Sequence, residues 1–313
     1  MTDFAKYQAL GNDYLVIDPR HSDFTPSPDA VRLLCDRHFG VGADGVLFGP
    51  LEQPRPGVPV RLRMFNSDGS VCGRSGNGLR LFALYLAEED GQPHFTEEEF
   101  TVLTESGEVA VRILDLAAGV VQVAMGQPGF AAADVPLLAE DGGAPAGLAV
   151  SVPLTVGEER FTVTSLNNGN PHTVVPLPEV DADLARRLGP LIARHQRFPQ
   201  ATNVQFMQVL DRATVRIEVY ERGAGYTLAS GSSACAAAAV AARLGLVDRR
   251  VEVLMPGGSI DISIAEDGGI TMTGGAEQVA KGFFAPALAA RLRAHGRAPA
   301  AAVATDQPAG ATV

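Results

Sequence analysis

Two serines, Ser75 and Ser230, each stand where an apolar helix begins, and each follows a polar residue by nine positions, Asn66 in one case and Glu221 in the other. Their surroundings match. Phe65-Asn66-Ser67-Asp68-Gly69-Ser70, Ser75-Gly76-Asn77-Gly78 and an apolar run over 79–87 are echoed by Tyr220-Glu221-Arg222-Gly223-Ala224-Gly225, Ser230-Gly231-Ser232-Ser233 and an apolar run over 234–242. A helix start carries unpaired backbone amides and the positive end of the macrodipole, which together attract an anion. Gly76, Asn77, Gly231 and Ser232 are thereby expected to offer amides to a carboxylate. Two facing helix starts also present one acid/base group to each face of a carbon, which is what inverting a stereocentre requires. Serine is itself among the best N-cap residues, and a single serine before a helix is more often a cap than a catalyst. The matched pair makes contact with a ligand the better reading.

The correspondence extends beyond the serines. Gly11-Asn12-Asp13-Tyr14-Leu15-Val16-Ile17 lines up with Gly169-Asn170-Pro171-His172-Thr173-Val174-Val175, the segment 39–44 with 198–203, and Val102, Leu103, Gly107, Val109, Val111 and Ile113 with Val253, Leu254, Gly258, Ile260, Ile262 and Ile264. These landmarks recur in order at offsets of about 155 residues, too long for a solenoid repeat and suited to two duplicated domains. The expected organisation is a first half over 1–125, a second over 126–276, a return segment over 277–296 packing on the first half, and a disordered tail over 297–313 rich in Ala, Pro, Gly and Thr. Gly126-Gln127-Pro128-Gly129 supplies the boundary.

The 313 residues, 46% of them hydrophobic and 19% charged, suit a soluble globular protein with two cores. A net charge of −11 argues against a nucleic-acid partner, because phosphate binding needs a basic face. No apolar run is long enough for a membrane helix, and residues 1–10 lack a signal pattern, so a cytoplasmic protein is expected. Cys35, Cys72 and Cys235 form no metal-ligand or disulfide spacing, and no metal is expected. Lys6 and Lys281 are the lysines among 25 basic residues, and neither lies in a motif; a Schiff-base cofactor has no anchor, and no cofactor is expected.

Alternation predicts strands over 60–65, 99–103, 108–113, 120–124, 213–220, 251–254, 259–264 and 270–273. Helices are predicted over 28–37, 78–88, 181–194, 233–244 and 286–295. The two helices after the serines are almost wholly apolar, so each must be buried all round. The fold class is therefore α+β, with two pseudo-symmetric halves, each a sheet wrapped about a central buried helix.

Taken together, the motifs resemble the diaminopimelate epimerase family. Its opening motif stands here as Leu10-Gly11-Asn12-Asp13, its GxGADG motif as Gly40-Val41-Gly42-Ala43-Asp44-Gly45, and its FNADGS segment as Phe65 to Ser70. Its GNPH motif is Gly169-Asn170-Pro171-His172, its NV-F segment Asn203-Val204-Gln205-Phe206, and its WERGxGET motif Tyr220-Glu221-Arg222-Gly223-Ala224-Gly225-Tyr226-Thr227. The resemblance implies a cofactor-independent amino-acid epimerase acting in a cleft between two pseudo-symmetric α+β domains. It implies that two cysteines act on opposite faces of Cα, one as thiolate base and one as thiol acid. Those positions are Ser75 and Ser230 here, and the glutamate of GET is Tyr226; the arginine of CGNGAR is kept as Arg80. The resemblance adds His172 and Glu221 to the catalytic candidates, and gives Glu221 and Arg222 the charged ends of the substrate. Asn12, Asn66, Asn77, Asn170 and Asn203 read as a polar cage for a zwitterion, since an amide offers donors and acceptors without net charge. The implied partner is a small amino acid, with a homodimer as an open option. Three chemistries share this frame: epimerisation of diaminopimelate, another proton transfer by a serine-variant racemase, dehydratase or isomerase, and amino-acid binding without catalysis.

Overall fold

The computed structural model describes residues 3–89, 95–96 and 98–296; the segment expected to be a disordered tail lies outside them. The first half runs β1 (Phe4–Ala9), β2 (Asn12–Ile17), α1 (Pro28–Cys35), β3 (Gly45–Phe48), β4 (Val60–Arg61), β5 (Arg63–Asn66), β6 (Val71–Cys72), α2 (Gly76–Glu89), β7 (Phe100–Thr104), β8 (Gly107–Asp115) and β9 (Val120–Gly126). The second runs β10 (Val152–Val156), β11 (Glu159–Asn167), β12 (Pro171–Pro176), α3 (Ala182–Ala193), β13 (Asn203–Asp211), β14 (Thr214–Glu221), β15 (Gly225–Thr227), α4 (Gly231–Arg243), β16 (Arg250–Met255), β17 (Gly258–Ile264) and β18 (Ile270–Gly275). The chain then returns through β19 (Glu277–Gly282), which pairs with β1, and α5 (Pro286–Gly296), which packs on α1.

Local chemistry sets the helix starts. Ser27 caps α1 by accepting the Ala30 N–H, with Pro28 preset for the first turn; Asp181 caps α3 by accepting from Leu184. The two central helices are held differently. Every residue of α2 from Gly76 to Ala87 is buried, and α4 is buried along nearly all its length. α2 lies against β1, β2, β8 and β9, and α4 against β11 to β14 and β16 to β18. The alanines that fill α4 let strands approach it closely on every side.

The duplication is explicit in the pairing. β2 runs parallel to β3 as β12 runs parallel to β13, with Tyr14 opposite Gly45 and His172 opposite Asn203. β5 then runs antiparallel to β3 and carries β6, as β14 runs antiparallel to β13 and carries β15. In each half the short final strand leads straight into the central helix.

Two features go beyond the sequence pattern. The predicted strand over 60–65 is broken at Leu62: Val60 pairs with Val102 in one sheet, while Arg63 to Asn66 pair with β3 in the other. Period-two alternation looks the same whichever sheet a residue joins, so the pattern cannot reveal the switch. The halves are also not separate sheets. β9 pairs with β18, fusing strands of both into one sheet of 13 strands beside a six-stranded sheet. Residues of α2 and α4 share one hydrophobic core.

Candidate active site

β5 ends at Asn66 and β14 at Glu221; each chain turns, makes a two- or three-residue strand and enters its helix immediately after Ser75 or Ser230. Both helix starts open on one cleft of about 750 Å³. Met272 of β18 lies between them. A Cβ added to Gly76 would stand 2.5 Å from Met272 Cε, and one added to Gly231 would stand 2.8 Å from Met272 Sδ and 3.2 Å from Asn77 Oδ1. Side chains are excluded from the first residue of both helices, which leaves the backbone amides uncovered.

The serines are not equivalent. Ser75 Oγ accepts the Gly78 N–H at 3.0 Å and the Tyr14 hydroxyl proton at 3.3 Å, so it caps α2 and keeps its own proton to donate. Ser230 makes no side-chain cap; its Oγ lies 3.4 Å from Ser232 Oγ, and it is 6% exposed. The first-turn amides of α4 therefore have no side-chain acceptor from Ser230. Glu221 stands beside Ser230. Burial pushes its carboxyl above the usual range, with the charge of Asp44 adding to the rise and the Ser230 hydroxyl opposing it. A carboxyl so placed is a stronger base than a free glutamate.

The asparagines divide by what they hold. Asn12 donates to Asp44 at 3.0 Å and accepts from Asn77 at 3.1 Å. Arg80, fully buried, donates to Asn77 Oδ1 and to the Gly275 carbonyl, tying the start of α2 to the end of β18. Asn203 accepts the Arg222 N–H and donates to the Pro171 carbonyl. Asn66 donates to Ser70. Asn170 keeps a buried side-chain oxygen, Oδ1, with no partner. Asn12, Asn66, Asn77, Asn170 and Asn203 all line the cleft, as do Ser75, Gly76, Glu221, Arg222, Ser230, Gly231 and Ser232.

His172 is the candidate that does not line it. It is fully buried, its Nδ1 3.0 Å from the Gln205 amide and its Nε2 without a partner. Burial lowers its pKa to about 3; the Gln205 hydrogen bond works against that fall and the Arg222 charge with it. The ring stays neutral. Gln205 also donates to Ser233 Oγ at 2.9 Å, so His172 and Gln205 brace the first turn of α4 from behind. Tyr226 also turns away: its hydroxyl donates to Glu218 at 2.8 Å, and Arg186 lies 4.2 Å over its ring.

The cleft also contains residues that the motif reading passed over: Tyr14, Asp44, Cys72, Arg74, Asn168 and Thr227. Tyr14 and Asp44 stand inside quoted motifs and come together where β2 meets β3, Tyr14 lying opposite Gly45 and the Asp44 N–H donating to the Asp13 carbonyl. Cys72 and Arg74 lie in the short link before Ser75, where nothing in the sequence reports which way a side chain turns. Burial raises the Cys72 thiol, with Glu221 adding to the rise and the hydrogen bond to the Arg74 carbonyl opposing it.

The family model for diaminopimelate epimerase matches residues 4–131 and 164–279, which contain both helix starts and every strand that carries them. The chain belongs to the diaminopimelate epimerase family. It is 44% identical over 279 residues to diaminopimelate epimerase 2 of Nostoc sp., covering 89% of this chain and 94% of that one. It is 40% identical over 282 residues to the diaminopimelate epimerase of Synechocystis sp., with 89% and 97% covered. Among solved structures it is similar to a probable proline racemase from Agrobacterium radiobacter, with a TM-score of 0.64 at 14% identity over 92% of this chain and 96% of that one. It is similar also to a hydroxyproline epimerase from Agrobacterium vitis, with a TM-score of 0.63 at 14% identity over 89% and 90%. These two share the duplicated fold. Both serines line the cleft where the two helix starts meet it.

Proposed function

We propose that the protein binds an amino acid with a second polar head, of the diaminopimelate class named by its relatives, and moves a proton at Cα without a cofactor. The observation that carries this reading is the pair of helix starts flanking Met272 in one cleft, with a hydroxyl beside each. The ligand's α-carboxylate sits on the amides at Gly76–Asn77 and Gly231–Ser232. Glu221 and the asparagines receive the ammonium group. As Ser230 Oγ takes the Cα proton, Glu221 accepts the proton that Ser230 gives up. On the opposite face Ser75 delivers its hydroxyl proton to the carbanion as its Oγ takes the Tyr14 hydroxyl proton along the hydrogen bond between them, so that the proton gained by Glu221 is balanced by the one lost from Tyr14. His172 and Gln205 hold the α4 start in place and stay outside the proton path.

The chemistry is slow with serine. A cysteine thiol starts near pKa 8.5 and falls to roughly 3.5–7.5 at an activated helix start, whereas a hydroxyl needs Glu221 to act as a base at all. The test is deuterium exchange at Cα in heavy water with LL- and meso-diaminopimelate. The chain as it stands should exchange slowly, and Ser75→Cys/Ser230→Cys should exchange faster by at least about a hundredfold, the scale of a positioned acid/base group. Equal rates in the two proteins would defeat the assignment of Cα to the space between these residues.

A further inference from the structure

Asn12 and Asn77 belong to one hydrogen-bonded chain in which every donor points the same way. Arg80 Nη2 donates to Asn77 Oδ1 at 2.6 Å, Asn77 Nδ2 donates to Asn12 Oδ1 at 3.1 Å, and Asn12 Nδ2 donates to Asp44 Oδ2 at 3.0 Å. A side-chain amide has donors on one arm and an acceptor on the other, so by itself it fits a polar wall either way round. The two ends of this chain remove that freedom. Arg80 has donors alone, and Asp44, as an ion-paired carboxylate, has acceptors alone. Arg37 grips Asp13 and Asp44 together, 2.7 Å from each, Lys6 lies 2.8 Å from Asp13, and Asp44 Oδ2 also accepts the Asp13 N–H. At the other end Arg80 is fully buried. Burial lowers its pKa to about 10, with Cys235 opposing the fall, so it keeps its charge at neutral pH. Its other hydrogen-bond acceptor, the Gly275 carbonyl at 2.8 Å, is neutral.

Turning the Asn77 amide over would set its donors against the guanidinium, and turning the Asn12 amide over would set its oxygen against the carboxylate. Either change breaks two hydrogen bonds at once. As the chain stands, both amide dipoles align between a cation and an anion, and each bond polarises the next. Both asparagines line the cleft, and Asn77 Oδ1 reaches the second helix start, 3.2 Å from where a Cβ on Gly231 would stand. Asp68, Arg74, Glu221 and Arg222 are charged and line the same cleft, yet among the described residues Asn12 and Asn77 bond only within this chain. We propose that Asp44 and Arg80 are positioning residues that lock the Asn12 and Asn77 amides in one orientation, so that this wall meets the polar groups of a ligand with fixed donors. The consequence for a ligand rests on the amino-acid reading of the cleft; the lock itself does not.

NMR of side-chain amides in the unliganded full chain tests the lock, with the Asn12 and Asn77 signals identified by their loss in Asn12→Asp and Asn77→Asp. In Asp44→Asn, which keeps the shape and removes the acceptor-only end, the Asn77 signals should shift or double although Asp44 makes no bond to Asn77. Asn77 signals that stay as in the parent overturn the proposal. Titration calorimetry with meso-diaminopimelate tests the consequence. Asp44→Asn and Arg80→Gln should each weaken binding by about tenfold, the worth of one charged hydrogen bond. Arg80→Lys, which keeps a donor-only cation, should bind more tightly than Arg80→Gln. The double variant Asp44→Asn/Arg80→Gln should lose no more than the weaker single variant, because both ends act through one chain. Additive losses, or parent affinity in Asp44→Asn, overturn the proposal. If Arg80→Gln does not fold, Arg80→Lys takes its place in the cycle. If the parent binds no diaminopimelate, the amino-acid reading falls, and the Asn77 signals by themselves decide for or against the lock.

Discussion

Glu221 and Ser230 form the one pairing in the cleft in which a raised carboxyl meets a hydroxyl with no capping duty. The folded pKa of Glu221 lies above the ordinary value of about 4.3. The folded state therefore holds its proton over a window in which the unfolded chain has lost it. Across that window stability falls as pH rises, and the unfavourable contribution is complete above the folded pKa. Glu221→Gln cannot ionise and removes this slope. Melting temperatures measured from pH 4 to pH 8 should show the parent losing stability relative to Glu221→Gln as pH rises, while calorimetry shows Glu221→Gln binding amino acids more weakly. A variant that binds as well as the parent would remove Glu221 from the ligand contacts. His172 shows the opposite outcome of burial: held near pKa 3, it is neutral at any physiological pH and supplies geometry without charge.

At the scale of elements, α2 and α4 start against a common side chain. Gly76 and Gly231 both face Met272, and the space a Cβ would need at Gly231 is shared with Asn77 Oδ1 as well. Gly231→Ala should destabilise by about 1–3 kcal/mol, as small-to-large changes in a packed interior do. The cause is contact with Met272, so the same change in a Met272→Ala background should cost less by at least about 0.5 kcal/mol, a coupling that urea unfolding of the four-member cycle resolves. Strict additivity would show that Met272 does not limit the approach of α4. Arg80 secures the other side of this junction by reaching from α2 to the Gly275 carbonyl, and Gly274 leaves it room: a Cβ there would stand 2.2 Å from Arg80 Nη1.

For the whole molecule, the continuous sheet decides what can move. β9 and β18 pair through six positions and join the halves directly below the cleft. Closure on a ligand has to flex this seam while keeping its hydrogen bonds, and the two turn segments over 66–75 and 221–232, which line the cleft from each half, are the parts expected to fold inward. Hydrogen exchange followed by mass spectrometry, with and without meso-diaminopimelate, should show slower exchange in those two turns and unchanged protection in β9 and β18. Loss of protection in β9 or β18 on binding would mean that the halves separate, which the shared core of α2 and α4 argues against.

The sequence by itself determined the duplication, both central helices and most of the cleft wall. Those features are local or periodic: an all-apolar helix declares its own burial, and two matched turns before two serines declare a repeat. In the structure every candidate residue except His172 lines one cavity. What only the tertiary structure decided is relational. The strands β2, β12 and β13 are buried on both faces and lack alternation, so pattern alone does not mark them. The switch of sheets at Leu62 and the fusion of the halves through β9 and β18 depend on partners far apart in the chain. So does the division of labour between the serines. Ser75 and Ser230 have near-identical neighbours in sequence, yet one is a cap held by Tyr14 and the other lies beside a raised carboxyl. A side chain's chemistry follows from what surrounds it in space, and β14 brings Glu221 to Ser230 only once the sheet has formed.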